Sequence, residues 1–381
     1  MARIGIIGGG AFGTAMACVL CRSGHEVALW AREPKVAAAI QRDARNPWFL
    51  EGIDLPPSIT ATADIGAAVR EAELVLLAPP AQHMRAVATS LAAHIGKGIP
   101  AVSCSKGIER ETLALMPEVL VEVLPRSPAA VLSGPSFARE LAAGLPCGVT
   151  LACAHPALAV HLARTLAAPG FCVHPTGDVV GVALGGVMKN VIAIAAGIAA
   201  GRKLGENARA TLVTLGLEET MSLGVAKGAR PGTFFGLAGV GDMMLTANGM
   251  TSRNTSLGYA LAEGRPMPEK APLCEGFFST PAVAGARTQA RREDADYLCL
   301  GARPRRRRAG RCGDRQRAAL VDTLSESLTP ARTPLFVGGA GAAAGEAQAG
   351  VLLHGDVLRR RQAVHSFPTR RSSDLDRKSV V

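Results

Sequence analysis

What this chain has little of narrows its class before any motif does. Its 381 residues include nine cysteines, but none stands in the paired spacing of a zinc or iron–sulfur site. The one Cys-x-x-Cys pair, Cys18 and Cys21, falls inside the helix expected after a glycine-rich turn, where both act as small apolar fillers. No metal is expected, and an odd, unpatterned cysteine count suits a reducing cytoplasm. The main body also lacks a polyanion-binding charge. The whole chain carries +11, yet residues 1–286 hold 23 Lys and Arg against 21 Asp and Glu, so the excess lies in residues 287–381. A nucleic-acid partner is not expected for the main body. Residues 4–21 are apolar like a signal peptide, but glycines interrupt them and Arg3 is the only charge ahead of them. Residues 179–200 have the length of a membrane span, yet Lys189 and Asn190 sit at their middle. A central Lys costs about 2.5–3.5 kcal/mol on insertion, so a buried core helix is expected and no membrane span.

What is present begins with an alternation. Apolar runs at 3–7, 26–30, 74–77, 101–104, 130–132, 148–152 and 171–174 alternate with helical patterns at 13–22, 36–42, 84–93, 112–123 and 157–167. Short apolar strands between helices imply a parallel sheet covered on both faces. After about residue 178 the strand signals stop and helical patterns follow at 179–200, 206–227 and 253–263. The expected architecture is α/β: a doubly wound, mostly parallel Rossmann-type sheet over 1–177, then an all-helical domain over 178–289.

The segment Gly8-Gly9-Gly10-Ala11-Phe12-Gly13 has the form G-x-G-x-x-G, follows a strand and opens a helix. In that context Gly8 permits the tight turn, Gly10 lets the backbone approach a pyrophosphate, and Gly13 allows close helix–strand packing. Free N–H groups and the helix dipole then favour a phosphate there. The second strand ends at Trp30 with no acid to take a ribose 2′-hydroxyl. Arg32, two residues on, either pairs with a 2′-phosphate or is a surface charge beside Glu33, so the cofactor is NADP or NAD.

A lysine flanked by Val187, Met188, Val191 and Ile192 needs a reason. Desolvation would draw the Lys189 pKa toward the working pH, as a general acid–base requires; a structural pairing with a carboxylate is the alternative. Asp242 either holds Lys189, receives a substrate hydroxyl, or caps a helix. Ser252-Arg253-Asn254 offers a guanidinium fork and an amide for a phosphate monoester, or a plain serine cap followed by surface polar residues. Lys106 follows a strand end, where open α/β sheets bind their ligands.

Together these segments resemble the bacterial NAD(P)-dependent glycerol-3-phosphate dehydrogenases over about residues 3–286. The similar stretches are 8–15, Asn46-Pro47-Trp48-Phe49-Leu50, 105–109, Ser133-Gly134-Pro135-Ser136-Phe137-Ala138, 185–197, 206–210, 236–242 and 252–254. The resemblance implies reversible reduction of dihydroxyacetone phosphate to sn-glycerol 3-phosphate for glycerophospholipid synthesis; the sequence leaves the oligomeric state, monomer or homodimer, open. It implies Lys189 as the acid–base residue. Lys106, Gly134, Ser136, Asn190, Asp242, Ser252, Arg253 and Asn254 would line the substrate. Gly8, Gly10, Ala11, Phe12, Gly13, Arg32, Lys106, Ala138, Arg253, Leu273 and Glu275 would meet the cofactor.

The chain departs from that pattern after about residue 287. Arg303-Pro304-Arg305-Arg306-Arg307-Arg308 and the Gly/Ala-rich stretch 338–350 read like GC-rich coding sequence out of frame, and residues 365–381 back-translate to a sequencing-adapter oligonucleotide followed by its reverse complement. Residues 290–381 are therefore expected to be a non-native tail, leaving the helical domain incomplete. Removing residues 288–381 should leave the thermal melting curve unchanged or raised; a cooperative high-temperature transition that drops on removal would contradict this.

Overall fold

The computed structural model describes residues 1–265, 274–280 and Val283. The elements run β1 (Arg3–Ile7), α1 (Ala11–Arg22), β2 (Glu26–Trp30), α2 (Pro34–Asp43), β3 (Thr60–Thr62), α3 (Ile65–Val69), β4 (Leu74–Leu77), α4 (Met84–Leu91), β5 (Ala101–Ser103), α5 (Met116–Val123), β6 (Ala129–Ser133), α6 (Ala138–Ala142), β7 (Cys147–Cys153), α7 (Pro156–Leu166) and β8 (Phe171–Thr176). From there the chain is helical: α8 (Val179–Gly201), α9 (Gly205–Ala226), α10 (Asp242–Ala247) and α11 (Arg253–Ala262). Residues 275–280 form a further helical turn.

The eight strands form one sheet in the order β3-β2-β1-β4-β5-β6-β7-β8. Every pairing is parallel except β6 with β7. The chain leaves β1 toward β2 and β3, then returns to place β4 on the other side of β1. That reversal opens a crevice at the carboxyl ends of β1 and β4, where such sheets bind ligands. Both faces of the central strands β1, β4, β5 and β6 are buried, which explains their apolar runs. On β4, Leu74 and Leu76 enter one core cluster, while Val75 and Leu77 enter the cluster on the opposite face. Beyond the sheet centre, Val131 of β6 packs with Val182, Val187 and Val191 of α8, so the helical part is seated directly on the sheet.

Helix α8 is long and apolar enough to cross a membrane, but 83% of its most apolar window is buried inside the protein. A helix apolar on all sides finds its place at the centre of a core, and here it is surrounded by β6, α9, α10 and α11. Asp178 caps it, accepting from the backbone of Gly181 at 2.9 Å and of Arg230 at 2.8 Å and from the Thr233 hydroxyl at 2.6 Å.

Several elements differ from the sequence expectation. The helix expected from 112 starts at Met116, because Leu113 holds φ +59 and the Glu109 and Ala114 backbones pair around it in a turn. Strand β3 is three residues of Thr-Ala-Thr at the sheet edge and carries no apolar run to betray it. The short helices α3, α6 and α10 are too brief to show a period. The expected tail over 290–381, and the helical pattern beyond Val283, lie outside the described residues.

Helices α8 and α11 meet through glycine. A Cβ on Gly197 would lie 2.9 Å from both the Thr255 carbonyl carbon and the Tyr259 nitrogen and would overlap the Thr255 oxygen, and Gly258 faces Ile194 in the same way. Gly197→Ala gains about 0.5–1 kcal/mol of helix propensity, but spreading two packed backbones costs about 1–3 kcal/mol or more. The steric cost wins, so the variant should melt about 2–8 °C lower; a rise in Tm would refute the close contact.

Candidate active site

The glycine turn covers the crevice. The Gly8 N–H donates to the Trp30 carbonyl at 3.0 Å, at the end of β2, and that of Ala78 to the Ile7 carbonyl at 2.9 Å, so the turn bridges β1, β2 and β4. Gly8 sits at φ +134, and a Cβ there would press 2.8 Å from the Ala78 oxygen. Gly13 admits no Cβ because Gly8 lies against it. Gly10 is different. Its φ −76 and ψ −178 suit any residue, and a Cβ would meet no atom within 4 Å. Nothing inside the protein requires glycine there; the space kept open lies outside it. Gly10 is the N-cap of α1, with no side-chain cap and no acid in the first turn, where Ala11 and Phe12 stand. The donor set therefore fits a dinucleotide pyrophosphate. Arg32 is exposed and binds Glu33 through two nitrogens, at 3.0 and 2.6 Å.

On the other side of the cleft three charges meet. Asp242, the first residue of α10, is 1% exposed. Its Oδ2 accepts from Lys106 Nζ at 2.6 Å, and its Oδ1 lies 3.2 Å from Lys189 Nζ. Lys106 comes from the segment after β5 and also donates to the Gly134 carbonyl at 2.7 Å and toward Ser136 Oγ at 3.4 Å. Lys189, from the middle of α8, donates to Thr246 Oγ1 at 2.9 Å. The Thr246 hydroxyl gives its own proton to the Asp242 carbonyl at 2.7 Å, so it faces Lys189 as an acceptor. Burial pulls the Lys189 amine down to about 8; Asp242 opposes the shift and Lys106 adds to it. For Asp242 burial pushes upward, but the two ammonium groups and their hydrogen bonds outweigh it and hold the carboxyl below its usual range. Asp242 is therefore no helix cap. Gly241 holds that position, and the carboxylate is spent on the lysines.

A chain of amides braces this cluster. Asn190 Nδ2 donates to the Lys106 carbonyl at 3.1 Å, Asn254 Nδ2 to Asn190 Oδ1 at 2.9 Å, and the Gly276 N–H to Asn254 Oδ1 at 3.1 Å. The Asn254 amide thus ties α8, α11 and the 275–280 turn together. Ser252 is buried and caps α11, accepting from the Thr255 N–H at 3.3 Å. Arg253 is exposed and, among the described residues, its guanidinium makes no hydrogen bond or ion pair, although its charge reaches Lys189 and Glu275. Glu275 Oε1 accepts from the Ala81 N–H at 2.9 Å, and burial pushes its carboxyl up to about 7. Ala138 opens α6 beside Ser136. Leu273 lies outside the described residues.

The structure thus brings Lys106, Gly134, Ser136, Lys189, Asn190 and Asp242 into one cluster. It sets Arg32 apart with Glu33 and gives Ser252 a capping hydrogen bond. Thr246 is the residue that sequence reasoning missed. It stands one turn after Asp242 on a six-residue helix, and an i,i+4 reading from Asp242 would have found it.

The chain as a whole is similar to known proteins. Residues 3–159 match the family model described as the NAD-dependent glycerol-3-phosphate dehydrogenase N-terminus, and residues 178–293 match the corresponding C-terminus. A protein of Paramagnetospirillum magneticum named glycerol-3-phosphate dehydrogenase (NAD(P)+) is 51% identical over 268 residues, 70% of this chain and 97% of its own. Another of that name from Rhodospirillum rubrum is 50% identical over 285 residues, 74% of this chain and 82% of its own. A crystal structure of glycerol-3-phosphate dehydrogenase from Coxiella burnetii is 33% identical, superposes with a TM-score of 0.72, and covers 79% of this chain and 99% of its own.

Asp242→Asn would leave a buried ammonium without its counter-charge, and stability near neutral pH should fall by about 3–5 kcal/mol. In that variant Lys189 takes a proton less readily folded than unfolded. Asp242 raises the folded Lys189 value, which is about 8 in the unaltered protein, so in the variant it lies lower. From that lower value up to about 8 the variant's amine is already neutral while the unaltered protein's is still charged, so the deficit should shrink as pH rises toward about 8 and level off above it. Denaturant titrations at pH 7 and 9.5 check this; an equal deficit at both would contradict it.

Proposed function

The chain belongs to the NAD-dependent glycerol-3-phosphate dehydrogenase family, and from that premise we propose that Lys189 is the acid–base residue of an NAD(P)-dependent, reversible reduction of dihydroxyacetone phosphate to sn-glycerol 3-phosphate. The observation that carries this reading is the buried Lys189 amine, drawn to about 8 and held by Asp242 and Thr246 beside Lys106. The cofactor is NAD or NADP. Gly8, Gly10, Ala11, Phe12 and Gly13 would hold its pyrophosphate, and Glu275, Ala138 and Arg253 would meet it elsewhere.

When bound, the reduced nicotinamide supplies a hydride to the substrate carbonyl carbon. The oxygen gains negative charge as that happens, so a cation placed beforehand lowers the barrier. Lys189 in its ammonium form donates a proton to that oxygen, and in the reverse direction the neutral amine takes the proton from the C2 hydroxyl. Thr246 accepts one Lys189 N–H and Asp242 another, which leaves the third for the substrate. Lys106, anchored by Asp242 and the Gly134 carbonyl, keeps a second positive charge in the cleft. The unpaired Arg253 fork suits the phosphate, and Asn254 and Asn190 keep α11 and Lys106 in position behind it.

Within this reading the protein works in the cytoplasm as a homodimer that supplies the glycerol backbone of phospholipids. Supporting the compartment, the seven cysteines among the described residues are all free. Supporting the dimer, Phe235, Met244 and Met250 leave apolar side chains more than half exposed around the 231–250 segment.

Lys189→Met should lower kcat for dihydroxyacetone phosphate reduction by about 10²–10⁴-fold, followed by NAD(P)H absorbance. In the unaltered protein kcat/KM for reduction should fall as pH rises through about 8, where the amine loses its proton, and kcat/KM for oxidation should rise over the same range. Equal rates with and without the amine would remove Lys189 from the chemistry.

A further inference from the structure

One fully buried polar side chain has no part in the mechanism above. Asn46 follows α2 and is 0% exposed. Its loop is held rigid by the Leu50 N–H donating to the Asn46 carbonyl at 2.9 Å, the Leu55 N–H to the Ala44 carbonyl at 2.9 Å, and the pairing of Arg45 with Asp54. The side chain reaches across 37 residues of sequence to the glycine turn. Its Nδ2 donates to the Gly9 carbonyl at 2.9 Å and to Thr14 Oγ1 at 2.9 Å. Its Oδ1 is buried and, among the described residues, has no hydrogen-bond partner. A buried acceptor left unpaired is unfavourable, so stability alone does not favour asparagine here. An apolar side chain would avoid that cost. What the amide supplies is the close bond to Gly9, at 2.9 Å, whereas the Thr14 hydroxyl reaches the same carbonyl only at 3.5 Å.

That bond has a consequence for the cofactor side of the turn. The Gly9 carbonyl and the Gly10 N–H belong to one planar trans peptide and point in opposite directions. With the oxygen drawn into the core, the N–H is turned outward, over the open space at Gly10 where no protein atom lies within 4 Å of a Cβ position. Glycines on both sides leave this peptide, like the Gly8–Gly9 one before it, freer to rotate than the others in the turn. We infer that Asn46 is a positioning residue for the dinucleotide: it locks the Gly9–Gly10 peptide so that the Gly10 N–H is already aimed at the pyrophosphate. The inference rests on the reading above that a dinucleotide binds at this turn.

Equilibrium titration of the full chain with NADPH, read by nucleotide fluorescence, tests it without turnover. Asn46→Ala should weaken NADPH binding by about five- to twentyfold, the worth of one oriented hydrogen bond. In turnover, KM for the nucleotide should rise by the same factor, while kcat at saturation and KM for dihydroxyacetone phosphate stay within about twofold. Thr14→Val removes the other partner and the long 3.5 Å contact from Thr14 to Gly9 but keeps the 2.9 Å Asn46–Gly9 bond, and should change affinity less than about twofold. Leu162→Ala, in the core cluster that also holds Leu50 of the Asn46 loop but far from the turn in sequence, controls for general loss of stability and should bind like the unaltered protein at a comparable drop in Tm. If the alanine variant does not fold, Asn46→Asp keeps the shape, cannot donate when ionised, and should lose affinity as well. Unchanged NADPH affinity in the folded Asn46 variant overturns the inference, as does an equal loss in Thr14→Val or Leu162→Ala. No NADPH or NADH binding by the unaltered chain would instead overturn the functional reading, and this inference with it.

Discussion

The site depends on one buried carboxylate shared by two ammonium groups. Asp242 takes Lys106 on one oxygen and Lys189 on the other, and each attraction is on the order of 4 kcal/mol at an effective dielectric of about 20. Without it, two cations would be drawn toward a cleft with little water and nothing to offset their repulsion. With it, the cluster keeps a net positive charge, as the proposed reduction of a carbonyl would need. The sharing is unequal. Lys106 makes the shorter contact, and Lys189, deeper in α8, is left with an amine that titrates near 8. A single acid thus supports two cations, one of which, in the proposed reaction, would carry the proton.

The rest of the molecule can be understood as what delivers these three residues to one point. The sheet supplies Lys106 after β5 and Gly134 after β6, because parallel strands put the segments that follow them on one edge. Helix α8 supplies Lys189, and it can lie against the sheet because Gly186 clears Ser133 and Lys106, while Gly185 clears Ala238. The wide turn at Leu237–Gly241 then aims α10 back at α8. Behind the cleft, Asn190 and Asn254 fix backbone positions with amides that carry no charge, so they steady the lysines without altering their electrostatics.

Much of this was legible in the residues alone. The strands at 3–7, 26–30 and 74–77 were placed to the residue because buried parallel strands announce themselves as unbroken apolar runs. The glycine turn was legible because each glycine answers a different steric need. Lys189 stood out because a lysine amid Val187, Met188, Val191 and Ile192 has to be explained. Short pieces were harder. β3 and α10 span less than one reliable period, and the start of α5 was misplaced because Leu113 adopts a left-handed turn that its identity does not advertise.

The order of strands and helices, the glycine turn and the anomalous lysine follow from the sequence, because each is written in the spacing of neighbouring residues. Which carboxylate serves that lysine, that Thr246 accepts from it, that Arg32 turns to Glu33, and that Asn46 reaches the glycine turn were decided only by the tertiary structure. These are contacts between side chains often dozens of residues apart. Such contacts depend on how helices pack on a sheet, and the choice among several chemically suitable partners is made there by distance and burial.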